Sequence, residues 1–190
     1  CNNCERGIVY KVDKSKGIEV YVDADFAGGW SSADASNADN VLSRTGFVIC
    51  YANCPLIWCS KLQTEIALST AEAEYIAMSH ALRDTIPIQN LIKEISCIFH
   101  LPDPITDFCI TVHEDNLSAI SMAESLKFTP RTKHIAIKYH HFRSRVRTSF
   151  NKSGDIRLKY ISTKQQLADI LTKPVDDDRF FKLRHMLCGW

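Results

Sequence analysis

Three β-rich runs follow one another in the first third of the chain, and every helical pattern comes after them. Residues 17–26, GIEVYVDADF, alternate Ile18, Val20 and Val22 with Glu19, Tyr21 and Asp23, which predicts a strand with unlike faces. RTGFVICY (44–51) and PLIWCS (55–60) are two further runs joined by Ala52-Asn53-Cys54, a hairpin pattern. Three such runs in succession predict an antiparallel meander. Helical patterns then alternate with two more strands, TDFCITVHED (106–115) and IRLKYIS (156–162). This order restricts the chain to an α/β fold: a five-stranded mixed sheet, three antiparallel strands then two parallel, flanked by helices.

The first helix starts at Ser69, and Pro87 is expected to end or restart it, because a residue before proline resists the α region. IQNLIKEISCIF reads as a second helix and NLSAISMAESL as a short one. A longer helix is expected over about 133–150, and a last core helix over STKQQLADILTK, stopped by Pro174. Residues 1–16 read as a linker, 17–174 as the domain and 175–190 as a tail with its own small helix.

At 190 residues the chain can bury a real core, and 45% hydrophobic with 24% charged residues is ordinary for a globular fold. A net charge of +1 makes any polyanion signal local rather than global. The longest apolar stretch, FVICYANCPLIWC, is interrupted by Asn53 and Pro55 and is too short to span a bilayer, so no membrane association is expected. With no starting methionine and no leader, the sequence reads as a mature or excised piece. Of eight cysteines, Cys1 and Cys4 form a CNNC without a partner pair. Cys50, Cys54, Cys59, Cys97 and Cys109 lie mostly in apolar runs and are expected as reduced, buried thiols in a cytosolic setting.

Acids at strand ends and helix starts are the candidate metal ligands. Asp23 ends the first strand and Asp115 the fourth, Asp169 sits within QQLADIL, and Glu74 comes from the first helix. Four carboxylates converging from four elements stay ionised together only if cations neutralise them. Ligation by oxygen alone favours Mg²⁺ or Mn²⁺, and a pair of such ions suits in-line phosphodiester displacement. Acids in such places also serve as N-caps or solvated turn residues, a reading that fits Asp115-Asn116 and the loop acids Asp25, Asp34 and Asp39. Asp169 fits it less well, since Leu167, Ala168, Ile170 and Leu171 surround it.

The sequence STAEAEYIA separates two glutamates by one alanine, which turns their side chains about 200° apart on a helix. Ser69 and Glu72 form a capping box: the hydroxyl accepts from the N–H of Glu72, whose carboxylate reaches back to the N–H of Ser69. The face around Glu72 (Tyr75, Ile76, Ser79, Arg83) is mixed. The face around Glu74 (Ala77, Met78, Ala81) is small and apolar, and packs on the sheet. Glu72 is therefore assigned to structure and Glu74 to chemistry.

Residues 131–152 hold Arg131, Lys133, Lys138, Arg143, Arg145, Arg147, Lys152 and the histidines His134, His140 and His141, with no acid. Ile135, Tyr139, Phe142, Val146 and Phe150 recur at helical spacing and are expected to pack inward. A cationic helix without acids for i,i+4 pairing repels itself unless a polyanion lies alongside, which points to nucleic-acid contact by Arg131, Lys133, His134, Lys138, Arg143 and Arg145. The histidines read as helix-face or capping residues rather than ligands.

Taken together, DADFAG, SRTGFVIC, WCSKLQTEIALSTAEAEYIAMS, HEDNLSAI, RTKHIAIKYHHFR and YISTKQQLADILTKP closely resemble the ribonuclease H domain that ends the Pol polyprotein of copia-type LTR retrotransposons. The resemblance runs in order from about Gly17 to the tail. It implies a ribonuclease H-like fold and metal-dependent hydrolysis of the RNA strand of RNA–DNA hybrids, with two Mg²⁺ ions that Mn²⁺ can replace. The motif acids fall on Asp23, Glu74, Asp115 and Asp169. It further implies a reverse transcriptase region in the same polyprotein as partner, residues 1–16 as the connection to it, and a cytoplasmic setting within virus-like particles. Three departures stand out. The loop after DADFAG is long, Leu117 stands where relatives often carry glutamine, and no histidine lies between Lys159 and Asp169. A catalytically silent module that positions hybrid for the reverse transcriptase is the alternative, and a related fold acting on DNA a third.

Overall fold

The computed structural model describes residues 7–30, 38–102, 108–125, 135 and 137–190. Strands β1 (Ile18–Asp25), β2 (Arg44–Tyr51) and β3 (Cys54–Leu62) form the expected meander, and β4 (Ile110–Glu114) and β5 (Ile156–Tyr160) add to the other side of β1. The order is β3-β2-β1-β4-β5, antiparallel from β3 to β1 and parallel from β1 to β5. Because β1 and β4 are parallel neighbours, their carboxyl ends meet at one edge of the sheet. Open α/β sheets present functional groups at such an edge.

Both faces of the central strands are buried, so the polar half of the β1 alternation is not a solvent face. Val20, Val22, Phe47, Ile49 and Val112 pack under helix α1 (Thr70–Ile98). Tyr21, Val48 and Cys50 pack under Leu167, Ala168 and Leu183, the last from helix α3 (Asp177–Cys188). A short helix, α2 (Leu117–Glu124), follows β4 directly.

Three helix expectations need correction. Helix α1 runs 29 residues straight through Pro87. Proline forfeits one backbone hydrogen bond and crowds the preceding turn. Here Pro87 faces solvent while its neighbours are held from both sides: Thr85 and Gln89 are buried, and the Gln89 amide donates to the Phe108 carbonyl at 2.7 Å. Tertiary contacts thus override the local break.

The stretch 163–171 is not one α-helix but two 3-10 turns, Thr163–Gln165 and Leu167–Leu171. Gln166 divides them. It is fully buried in an extended conformation, its side-chain oxygen accepts from the N–H of Ala168, and its amide donates to the His113 carbonyl at 3.2 Å. The described part of the expected helix over 133–150 is likewise two 3-10 turns, Ile137–His140 and Arg143–Arg145. Val146 then bridges to Ile156 in parallel, which demands extended backbone. Ile135, Tyr139, Phe142 and Val146 do pack inward, but Phe150 is 91% exposed.

Residues 7–16 form no regular element yet are tied down. The N–H of Val9 donates to the Cys188 carbonyl and that of Asp13 to the Ala52 carbonyl, both at 2.9 Å, and the Trp190 indole donates to the Gly7 carbonyl at 2.7 Å. Cys50, Cys54 and Cys109 are buried free thiols, with burial pushing Cys50 up to about 12; Cys97, expected inside, is exposed. Cys1 and Cys4 lie outside the described residues. Among the described residues no helix is long and apolar enough to cross a membrane.

His80, on α1, gives the fold a pH dependence. Burial, reinforced by the positive charges of Lys61, Arg83 and Lys138 and opposed by Glu65, depresses its pKa to about 4. Below the usual value near ~6.5 the unfolded chain takes up a proton that the folded chain refuses. The stability present above that pH therefore drains as pH falls toward 4, by a modest amount because His80 is only half-buried and solvent screens its charge. His80→Gln should flatten this part of a melting-temperature profile. An unchanged profile would show that the folded chain accepts the proton.

Candidate active site

The carboxyl edge of the sheet gathers five acids. Asp23 lies on β1 opposite Gly46 of β2 and is 1% exposed. Asp115 is half-buried just beyond β4. Asp169 sits in the turn Leu167–Leu171 and is 0% exposed. Glu74 enters from the first turns of α1 and is also buried. The four acids expected from the sequence are therefore brought to one place. Oxygens of Asp23, Asp115 and Asp169 lie within 4.8 Å of one another.

The fifth acid, Glu114, was missed. It ends β4, is fully buried, and offers an oxygen within 4.8 Å of oxygens of Glu74 and Asp115. A signal was present: Ile110, Val112 and Glu114 share one face of the strand, so an acid stands where the alternation calls for an apolar residue.

The protein partly neutralises one side of this cluster. Lys173 Nζ stands 3.4 Å from Asp23 Oδ1 and 3.2 Å from Asp169 Oδ1, and Arg179 of α3 pairs with Asp169. The Thr172 hydroxyl donates to Asp23. Among the described residues the other side has no such ion pairs. Burial, then the charges of Glu114, Asp23 and Asp115, hold Glu74 well above the usual carboxylate range, against the pull of Lys173. Burial does the same to Glu114, helped by Asp115 and Asp23 and opposed by the N–H of Asn116. Glu74 Oε2 and Glu114 Oε2 are buried without a hydrogen-bond partner among the described residues. Convergent, oxygen-only donors with orphaned buried oxygens fit hard divalent cations such as Mg²⁺ or Mn²⁺.

The two glutamates of STAEAEYIA separate as expected, with adjustments. The Ser69 hydroxyl accepts from the N–H of Glu72 at 3.2 Å, and the Glu72 carboxylate accepts from the N–H of Leu68 at 2.9 Å, one residue before the expected Ser69. The face of Glu72 is mixed as expected, buried through Tyr75, Ile76 and Ser79 and exposed at Arg83. Its cover is the basic segment: the Tyr75 hydroxyl hydrogen-bonds His140 Nδ1 at 2.7 Å, and the Tyr75 ring packs on Phe142.

That segment finds its acids elsewhere in the fold. Lys138 pairs with Glu65 at 2.5 Å, and Arg145 grips Asp155 through two contacts of 3.0 and 2.6 Å while donating to Gln89 Oε1. Arg143 is buried. Self-repulsion is thus relieved from outside the segment at Lys138 and Arg145, for which missing acids in the segment do not by themselves point to a polyanion. Arg131, Lys133 and His134 lie outside the described residues, as does Asp34. His140 and His141 are hydrogen-bonded, but in turns rather than on the helix face expected for them.

No family model matches the chain. It is 32% identical over 171 residues, 90% of its length, to the Retrovirus-related Pol polyprotein from transposon RE2 of Arabidopsis thaliana. It is 33% identical over 163 residues, 86% of its length, to that from transposon TNT 1-94 of Nicotiana tabacum. The chain spans about a tenth of these polyproteins, 10% and 11% respectively. Among solved structures it resembles LC11-RNase H1, isolated from compost, with a TM-score of 0.50 at 17% identity over 83% of this chain and 93% of that one. The chain is thus a homologue of one segment of copia-type Pol polyproteins, and its fold is that of ribonuclease H.

Proposed function

We propose that the chain is a metal-dependent endonuclease that hydrolyses the RNA strand of RNA–DNA hybrids during retrotransposon reverse transcription. The observation that carries this reading is the convergence of Asp23, Glu74, Asp115 and Asp169 at the carboxyl edge of a ribonuclease H fold. Under this reading those four carboxylates hold two Mg²⁺ ions, for which Mn²⁺ can substitute. Such ions supply a nucleophilic water at neutral pH and charge stabilisation for the leaving oxygen.

The chain's own residues set the geometry. Asp23 is fixed by the β1–β2 ladder and the Thr172 hydroxyl, and Glu74 by the capped start of α1. Asp169 is fixed by the turns that Gln166 divides. Lys173 pairs with both Asp23 and Asp169, and Arg179 pairs with Asp169, which ties these two carboxylates in place. A hybrid would be told from duplex DNA by its A-like shape and 2′-hydroxyls. Leu117, 65% exposed at the start of α2, offers that groove an apolar contact where an amide would hydrogen-bond. Lys138, on the exposed side of its turn, is available to phosphates once Glu65 releases it, and Arg131, Lys133 and His134 are the other candidates. In this reading the partner in the polyprotein is its reverse transcriptase region, and the setting is the cytoplasm, within virus-like particles.

End-labelled RNA in a hybrid tests this directly. Fragments should appear with Mg²⁺ or Mn²⁺. Retardation of the hybrid without fragments in either ion would instead select the silent positioning module.

A further inference from the structure

We propose that Glu114 is a fifth metal-ligating carboxylate, which holds a divalent cation together with Glu74 and Asp115. The proposal rests on the metal-site reading above and adds a ligand outside the four motif acids. Glu114 occupies the last position of β4, on the face that carries Ile110 and Val112 into the core. One of its oxygens is used by the fold: Oε1 accepts the N–H of Asn116 at 3.0 Å and so helps start α2. The other, Oε2, is buried without a hydrogen-bond partner among the described residues, and Glu74 Oε2 shares that condition. Buried carboxylate oxygens are ordinarily paired or coordinate metals.

The pairing of the cluster is uneven in a way that selects these oxygens. Among the described residues, the cations paired with the cluster, Lys173 and Arg179, make their ion pairs with Asp23 and Asp169. Neither makes one with Glu74 or Glu114. The donors of Glu74, Glu114 and Asp115 nevertheless lie within 4.8 Å of one another, a spread that a single cation with oxygen ligands at about 2.0–2.6 Å can bridge. Asp115 belongs to this triad and to that of Asp23 and Asp169, so five carboxylates form two overlapping oxygen sets. The set whose two glutamates have no ion pair among the described residues is the one where a metal ion would add charge compensation.

Mn²⁺ binding by the chain alone, read from the electron paramagnetic signal of the free ion, tests this without turnover or nucleic acid. Glu114→Gln keeps the shape and removes the anionic donor. It should weaken Mn²⁺ binding by about tenfold or more, the scale set by disturbing groups around a metal. The rise in melting temperature that Mn²⁺ produces should shrink in step. Glu114→Asp, which keeps the charge but withdraws it by one methylene, should fall between, and it carries the test if the Gln variant does not fold. Glu65→Gln, an acid outside the cluster, should bind as the parent chain does. Binding within twofold of the parent for both Glu114 variants would overturn the assignment. A parent chain that binds no Mn²⁺ at millimolar concentration would overturn the underlying metal-site reading instead.

Discussion

Glu74→Gln and Asp115→Asn should each leave the chain folded while lowering Mg²⁺-dependent cleavage of an RNA–DNA hybrid by about 10²–10³-fold or more, the scale seen when one electrostatic group is removed from an active site. The fold has little to lose from the first change. Glu74 Oε2 makes no hydrogen bond among the described residues, and an isosteric amide removes a charge that burial and three neighbouring acids already disfavour. Glu72→Gln is the matched control two residues away. Its carboxylate bonds the N–H of Leu68 and stands in the cap with Ser69, so its loss should cost about 1 kcal/mol of stability and leave the rate nearly intact. If the Glu72 change were the one that abolished cleavage, the division between structural and chemical acid would be reversed.

The second large effect is expected from a residue with no side chain. Gly46 lies on β2 opposite Asp23, and a Cβ there would meet Thr172 Cγ2 at 2.5 Å, the Ala168 carbonyl oxygen at 3.1 Å and Leu171 Cβ at 3.1 Å. Its φ is not positive, so alanine brings no backbone strain, and only the close approach is at stake. The Thr172 methyl cannot turn away without carrying off the hydroxyl that donates to Asp23, and the Ala168 carbonyl belongs to the turn that carries Asp169 and cannot move alone. Gly46→Ala should therefore push that turn off the sheet, at about 1–3 kcal/mol of stability. A displacement of about 1 Å at a reacting centre costs on the order of 10²-fold in rate. Gly7→Ala, with nothing within 4 Å, should change neither melting temperature nor rate. A Gly46→Ala chain that cleaves at the parent rate would show that the turn can shift without moving Asp169.

The strands and the four motif acids were legible because period-2 alternation and strand-end acids are local signals. That succession pointed to the antiparallel meander and the mixed sheet, while the pairing of β4 with β1 is seen only in the fold. Three other features depended on contacts distant in sequence. Pro87 reads as a break from its own chemistry, yet Gln89 anchors the turn beyond it to Phe108 and Asp155. STKQQLADILTK has helical spacing, but Gln166 spends its side chain on His113 and Ala168, and no propensity encodes that. The basic segment lacks acids of its own, and only folding reveals that Glu65 and Asp155 supply them. Glu114 is a different case. Its irregularity was visible in the β4 alternation, but the neighbouring Asp115 already satisfied the expected pattern.

The central claim is that the carboxylate cluster hydrolyses RNA paired to DNA. Its most direct test is the initial cleavage rate of the chain on an RNA–DNA hybrid, beside duplex RNA and duplex DNA of the same sequence, with Mg²⁺ and with excess EDTA. The account predicts cleavage of the RNA strand of the hybrid in Mg²⁺, little or none of either homoduplex, and no cleavage in EDTA. Equal cutting of duplex DNA, or cleavage that survives EDTA, would contradict it.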